Sequence, residues 1–135
     1  MSSFYSQTIE LCSLDILVHD VMLSPCDYNV ACILYRIYYN NFEYVTNLGK
    51  ERWICLDNLF ISNDEIIAFL SIEIKTTIKN IIVDYNTTNK DLDVELDLIL
   101  LQNYEILMNS LNDNRFISDV IVEARKLFNI EYNDL

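Results

Sequence analysis

A single proline, Pro25, and a single glycine, Gly49, interrupt 135 residues. These two residue types break helices and abound in disordered and linker chains. Their scarcity leaves long stretches free to form regular structure. Hydrophobic residues make up 52% of the chain, enough to fill the core of one domain of this length.

Residues 4–23 are apolar with scattered acids. Ile9, Leu11, Leu14, Ile16, Leu17, Val18 and Val21 follow neither the helical nor the strand period cleanly, so the stretch reads as a helix or as an arm packing elsewhere. Ser24-Pro25 breaks the chain, and Asp27 is placed to cap a helix. Val30, Leu34, Ile37 and Tyr38 then fall at helical spacing, broadened by Ala31 and Ile33, up to Asn40-Asn41. Phe42 to Thr46 alternates and is rich in strand formers, as is Arg52 to Leu56. Between them Asn47-Leu48-Gly49-Lys50 reads as a turn, with the glycine available for positive φ. A hairpin this short must lean on helices.

Asn63-Asp64 opens a long helix with an apolar stripe of Ile66, Ile67, Leu70, Ile74, Ile78 and Ile81. Asn86 to Asp91 reads as a polar connection. A further helix over about 92–111 presents Leu96, Ile99, Leu100, Tyr104 and Leu107 on one face. After the Asn112-Asp113-Asn114 turn, a last helix over about 115–128 points Phe116, Val120, Ala124 and Leu127 inward. Arg125 and Lys126 in its final turn suit the negative end of its dipole. Residues 129–135 form a mixed apolar and acidic tail in which Tyr132 and Leu135 read as the start of something that continues. The expected fold is mainly α with a small β-hairpin, a helical bundle packed on a two- or three-stranded antiparallel element.

Charge narrows the function. The formal net charge is -12, so the average field repels DNA, whose phosphates are gripped by lysine and arginine. Residues 91–135 hold ten acidic against three basic side chains, whereas residues 28–60 hold three of each. Any nucleic-acid contact should therefore come from the middle of the chain. Lys50 and Arg52 flank the hairpin turn and are the first candidates. Lys75 and Lys79, four apart on one helix face, are the second pair.

Catalytic and metal chemistry finds little to build on. One glycine excludes phosphate-cradling loops. His19 is the only histidine and reads as a surface or core imidazole. Cys12, Cys26, Cys32 and Cys55 form no C-x-x-C pair and are expected to be reduced free thiols. Asp91, Asp93, Glu95 and Asp97 lack the spacing of a calcium loop and read as a solvated acidic helix start. No catalytic residue, metal ligand or cofactor is therefore assigned. No basic stretch leads into an apolar one as in a signal peptide, and no uncharged apolar run is long enough to span a bilayer. Trp53, Tyr44, Phe42, Phe116 and Phe128 are the expected structural anchors. Trp53 should be buried against the helix of residues 30–38.

The order of these elements resembles a known viral domain. Asp27-Tyr28-Asn29-Val30-Ala31 to Leu34-Tyr35, then Tyr38-Tyr39-Asn40-Asn41-Phe42, Tyr44-Val45 and Trp53 carry the likeness. Ile121 to Phe128, following the Leu111-Asn112-Asp113 turn, carries the rest. The family is the helicase-adjacent domain of poxvirus-type and phage or plasmid primase-helicases, which lies between a primase and a superfamily 3 ring-forming ATPase. The likeness covers residues 27–135 and leaves 1–26 as an N-terminal arm or linker. Leu59-Phe60 stands where the family often has a second tryptophan, and the Walker motifs and arginine finger of the motor fall outside these residues.

The resemblance implies a DNA-replication module that is not itself an enzyme. It would be a collar linking an upstream primase to a downstream helicase in cis, within a homo-hexamer. ATP and magnesium would belong to that helicase, DNA contact would arise weakly or only in the oligomer, and no membrane would be involved. The setting would be host cytoplasm or a viral factory. An alternative reading, from charge alone, is a free-standing acidic module that binds a basic partner.

Overall fold

The computed structural model describes residues 4–46, 49–57, 62–88 and 94–129. The chain forms α1 (Phe4–Leu11), α2 (Leu14–Leu23), α3 (Asp27–Tyr38), β1 (Phe42–Val45), β2 (Arg52–Cys55) and α4 (Asn63–Glu73). A π-helical turn (Ile74–Ile78), α5 (Lys79–Thr88), α6 (Val94–Leu111) and α7 (Asn114–Phe128) complete it. The fold is mainly α with a small antiparallel hairpin, as the periodicity indicates.

The first apolar stretch, which the sequence leaves open between helix and arm, is two helices. Ser13 separates them and caps α2 by accepting a hydrogen bond from the Ile16 amide at 3.3 Å. Ile9, Leu17, Val18, Val21 and Met22 are buried in the same core as α3 and α7, so residues 1–26 do not stand apart as a linker where they are described. Asp27 is not the cap of α3. Cys26 holds the N-cap position, and the Asp27 carboxylate instead accepts from the Tyr28 amide at 2.7 Å. Ser62, one residue before the expected start, caps α4. Its hydroxyl accepts from the Glu65 amide and donates to the Glu65 carboxylate, both at 3.1 Å, at the S-x-x-E spacing of a capping box.

The π turn follows from the apolar spacing. Ile66, Leu70, Ile74, Ile78 and Ile82 are all fully buried, and each falls four residues after the last. At 3.6 residues per turn a step of four overshoots by about 40°, so four steps in a straight α-helix would turn the stripe by about 160°. A wider π turn in the middle takes back part of that drift. The stripe therefore ends on Ile82, while Ile81 is half-buried. The expected polar connection also shortens, because α5 continues through Asn86 to Thr88.

Phe42 pairs with Cys55, Glu43 with Ile54, Tyr44 with Trp53 and Val45 with Arg52. Gly49 takes φ 73 in the turn, as expected of it. Asn47 and Leu48 lie outside the described residues, as do Leu59-Phe60, Asp91 and Asp93, the tail beyond Asn129 and the side chains of Leu96, Glu95 and Asp97. A parallel bridge from Asn129 to Tyr44 brings the end of α7 onto the free edge of β1. Helices α3 and α7 pack side by side along the core, with α2 and the π turn closing on α3 and α4 on β2 and α7. No helix among the described residues is long and apolar enough to cross a membrane.

Candidate functional site

The end of α7, the start of α3's last turn and the hairpin meet in one aromatic junction. Phe128 receives Tyr35 edge-on at 4.9 Å and Trp53 edge-on at 5.1 Å. Tyr44 meets Trp53 at 5.3 Å, and the Arg125 guanidinium lies over the Tyr44 ring, 5.4 Å from its centroid. Burial pushes the Tyr44 phenol up, against the pull of Arg125. Trp53 is 2% exposed, as expected, and the rings of Phe128 and Tyr44 meet it. Trp53 Nε1, Arg125 Nε and Asn129 Oδ1 are buried here with no hydrogen-bond partner among the described residues. In the sequence Arg125 reads only as a dipole partner. Its place one turn before Phe128 on the same helix is the signal for more.

Beside this junction opens a cleft of about 380 Å³. Tyr35, Tyr39, Phe42 and Phe128 line it together with Glu10 and Glu43. Tyr35 donates to Glu10 Oε1 at 2.5 Å. Burial raises the Glu43 carboxyl above the ordinary range. Asn129 lines the same cleft. Acceptors and aromatic faces without a lysine or arginine in the lining suit a positively charged group. Spacing along the chain carries no sign of this pairing, because α1 and β1 bring Glu10 and Glu43 together only through the fold.

The four candidate cations do not form one patch. Lys50 and Arg52 are exposed at the hairpin, next to the Phe128 end of α7. Lys75 is exposed within the π turn and donates to Asn114 Oδ1 at 2.7 Å, at the opposite end of α7. Fourteen helical residues separate those ends, about 21 Å. Lys79 is half-buried; it follows Lys75 across the π turn at the same spacing of four that keeps Ile74 and Ile78 together in the core.

Phe42, Tyr44, Trp53 and Phe128 are buried anchors, while Phe116 is half-buried and Ile117 takes the inward place. Tyr38 joins α3 to the hairpin and α4, meeting Phe42 at 6.1 Å and Phe69 at 5.6 Å. Its hydroxyl donates to Glu73, which also accepts from Thr77 at 2.9 Å. His19 Nδ1 lies 3.0 Å from the Tyr85 hydroxyl. The four cysteines are free, and no cluster among the described residues could hold a metal ion. The chain matches no protein-family model and none of the curated proteins with which it was compared.

Proposed function

We propose that this chain is a non-catalytic module of a viral or mobile-element replication primase-helicase, supporting ring assembly and coupling the primase to the ATPase motor. The observation that supports it is the convergence of the two stretches that resemble the family. Residues 27–53 and 121–128 are far apart in sequence, yet Tyr35, Tyr44, Trp53 and Phe128 meet in the aromatic junction. A likeness spread over unrelated surface positions would have no reason to converge in this way. The junction fastens α3, the hairpin and α7 to one another, which is the mechanical need of a coupling domain.

The coding region around this chain tests the reading. A primase should precede it and a ring-forming ATPase should follow it in frame. The full-length product should sediment as a hexamer. A stop codon immediately after Leu135, or a full-length product that stays monomeric, would overturn the proposal.

A further inference from the structure

The cleft beside the aromatic junction gathers hydrogen-bond acceptors, with no lysine, arginine or histidine among the described residues that line it. Glu10 comes from α1 and Glu43 from β1. Tyr35 donates to one Glu10 oxygen at 2.5 Å, which holds that carboxylate in place and leaves its second oxygen for another donor. Burial raises the Glu43 carboxyl against a weaker pull from the amino terminus, and no side-chain hydrogen bond among the described residues offsets that burial. Asn129 lines the same cleft, and its Oδ1 is buried with no hydrogen-bond partner among the described residues.

The basic side chains nearest in sequence to this lining are engaged elsewhere. Arg36 follows Tyr35 and donates from Nε to the Cys12 carbonyl at 2.9 Å. Arg125 lies over the Tyr44 ring, and Lys126 pairs with Glu123 at 3.2 Å. A carboxylate that is partly desolvated without a cation costs stability, and a bound cation offsets that cost.

The lining also selects among cations. A quaternary ammonium packs on aromatic rings but has no N–H to donate. A primary ammonium donates, but it is compact and strongly hydrated. A guanidinium does both, since its plane stacks on rings and its five N–H groups point outward in a fixed fork. We infer that this cleft binds a guanidinium group, its plane against the aromatic lining and its N–H groups toward Glu10, Glu43 and Asn129. At about 380 Å³ the cleft lies at the small end of ligand pockets, a size for one arginine-like group. Such binding requires neither a ring nor a motor, so it stands or falls separately from the replication role.

The whole chain, isotope-labelled, is titrated with Nα-acetyl-arginine amide and followed by amide NMR shifts. The shifts should saturate with a Kd on the order of 1 mM and centre on Glu43, Phe128 and Asn129. The citrulline analogue has nearly the same shape without the charge and should bind at least about tenfold more weakly. The lysine analogue should bind at least about threefold more weakly. Glu43→Gln and Glu10→Gln should each weaken binding about tenfold, with an unchanged circular-dichroism spectrum. Asp119→Asn, which removes an exposed acid of α7 outside the cleft, should leave binding unchanged. A glycine peptide with one central arginine separates the two sources of the group. Binding as tight as that of the capped amino acid supports an arginine offered by another chain, and binding of the capped amino acid alone supports a free small guanidinium compound. Equal binding of the citrulline or lysine analogue, or full binding by both glutamine variants, would overturn the proposal. So would an equal loss in Asp119→Asn, because overall negative charge would then be all that holds the ligand.

Discussion

Phe128 meets Trp53 edge to face, ring centroids 5.1 Å apart at 68°, and this contact fastens the hairpin to the last helix. The hairpin has only four residues in each strand and no other sheet to lean on among the described residues. Its attachment therefore rests on rings: Trp53 and Tyr44 from the strands, Phe128 from α7 and Tyr35 from α3 behind it.

Trp53→Ala should cost about 3–5 kcal/mol, the usual loss for truncating a large buried aromatic. Phe128→Ala should fall in the same range. Because the two rings touch, the double variant should cost less than the sum of the singles, with a coupling of about 0.5–1.5 kcal/mol. Urea denaturation followed by circular dichroism measures all three. Strict additivity would mean that the contact contributes only area.

Glu43 gives stability a pH dependence of known sign. Its carboxyl is raised above the ordinary carboxylate range by burial in the cleft wall, so the folded state holds the proton more tightly than the unfolded chain. That contribution is present below the unfolded value and is lost as pH rises through the folded one. At pH 7 the ionised Glu43 costs stability, and Glu43→Gln should recover about a few tenths of a kcal/mol, a small gain because the group is only half-buried. Near pH 4 the gain should vanish. Urea melts at the two pH values make the comparison, and a gain that is larger at pH 4 would reverse the assignment.

Cys32 should be the slow thiol. It is buried, and burial pushes its pKa up to about 11, leaving almost no thiolate at pH 8. Cys12, Cys26 and Cys55 are half-buried. Iodoacetamide labelling read by intact mass should add up to three groups to the native chain quickly and the fourth only in urea. Peptide mapping should find the late group on Cys32.

The π turn predicts an asymmetry between deletions. It holds one more residue per turn than the α-helices on either side. Deleting exposed Thr76 should let α4 and α5 join as one α-helix with both apolar faces nearly in place. Deleting exposed Ala68, inside α4, rotates everything after it by about 100° and turns Leu70, Ile74, Ile78 and Ile82 off the core. Thermal denaturation should therefore find the Thr76 deletion folded and the Ala68 deletion largely unfolded.

These features differ in how far the residues alone reveal them. The helices with strong periodicity, α3 and α7, and the hairpin around Gly49 are legible because local spacing and turn chemistry agree. The cap at Ser62 is written in the sequence as a capping box, but Asn63-Asp64 beside it competes for the same role. The π turn is hidden because a step of four fits an α-helix over one or two turns, and the drift shows only over the whole run from Ile66 to Ile82. On α6 the period marks an inward face correctly at Leu100, Tyr104 and Leu107, but it also places Ile99 there, and the fold leaves that residue exposed. The exposed side of α6 mixes Leu98, Leu101 and Ile106 with Gln102, Glu105 and Asn109, so its apolar residues alone do not mark where the inward face ends. The cleft is not legible at all, since Glu10, Glu43 and Asn129 share it only once α1, β1 and α7 have packed.

DNA contact is the remaining consequence of the proposed role. The isolated chain should bind DNA weakly or not at all, because twelve excess negative charges oppose the phosphates. A ring changes the balance by repeating each cation around its pore, so that linked weak contacts gain effective concentration. Lys50 and Arg52 are the better pair for this, being exposed on a hairpin that rings fasten from below. Lys75 already donates to Asn114, and Lys79 is half-buried, so neither is as free to reach a strand. Lys50→Glu/Arg52→Glu in the full-length protein should leave ring size unchanged by sedimentation. Affinity for single-stranded DNA should drop, and the slope of log affinity against log salt should flatten by about one for every phosphate that the ring no longer neutralises. Unchanged affinity and slope would place the hairpin off the DNA and leave the domain a purely structural collar.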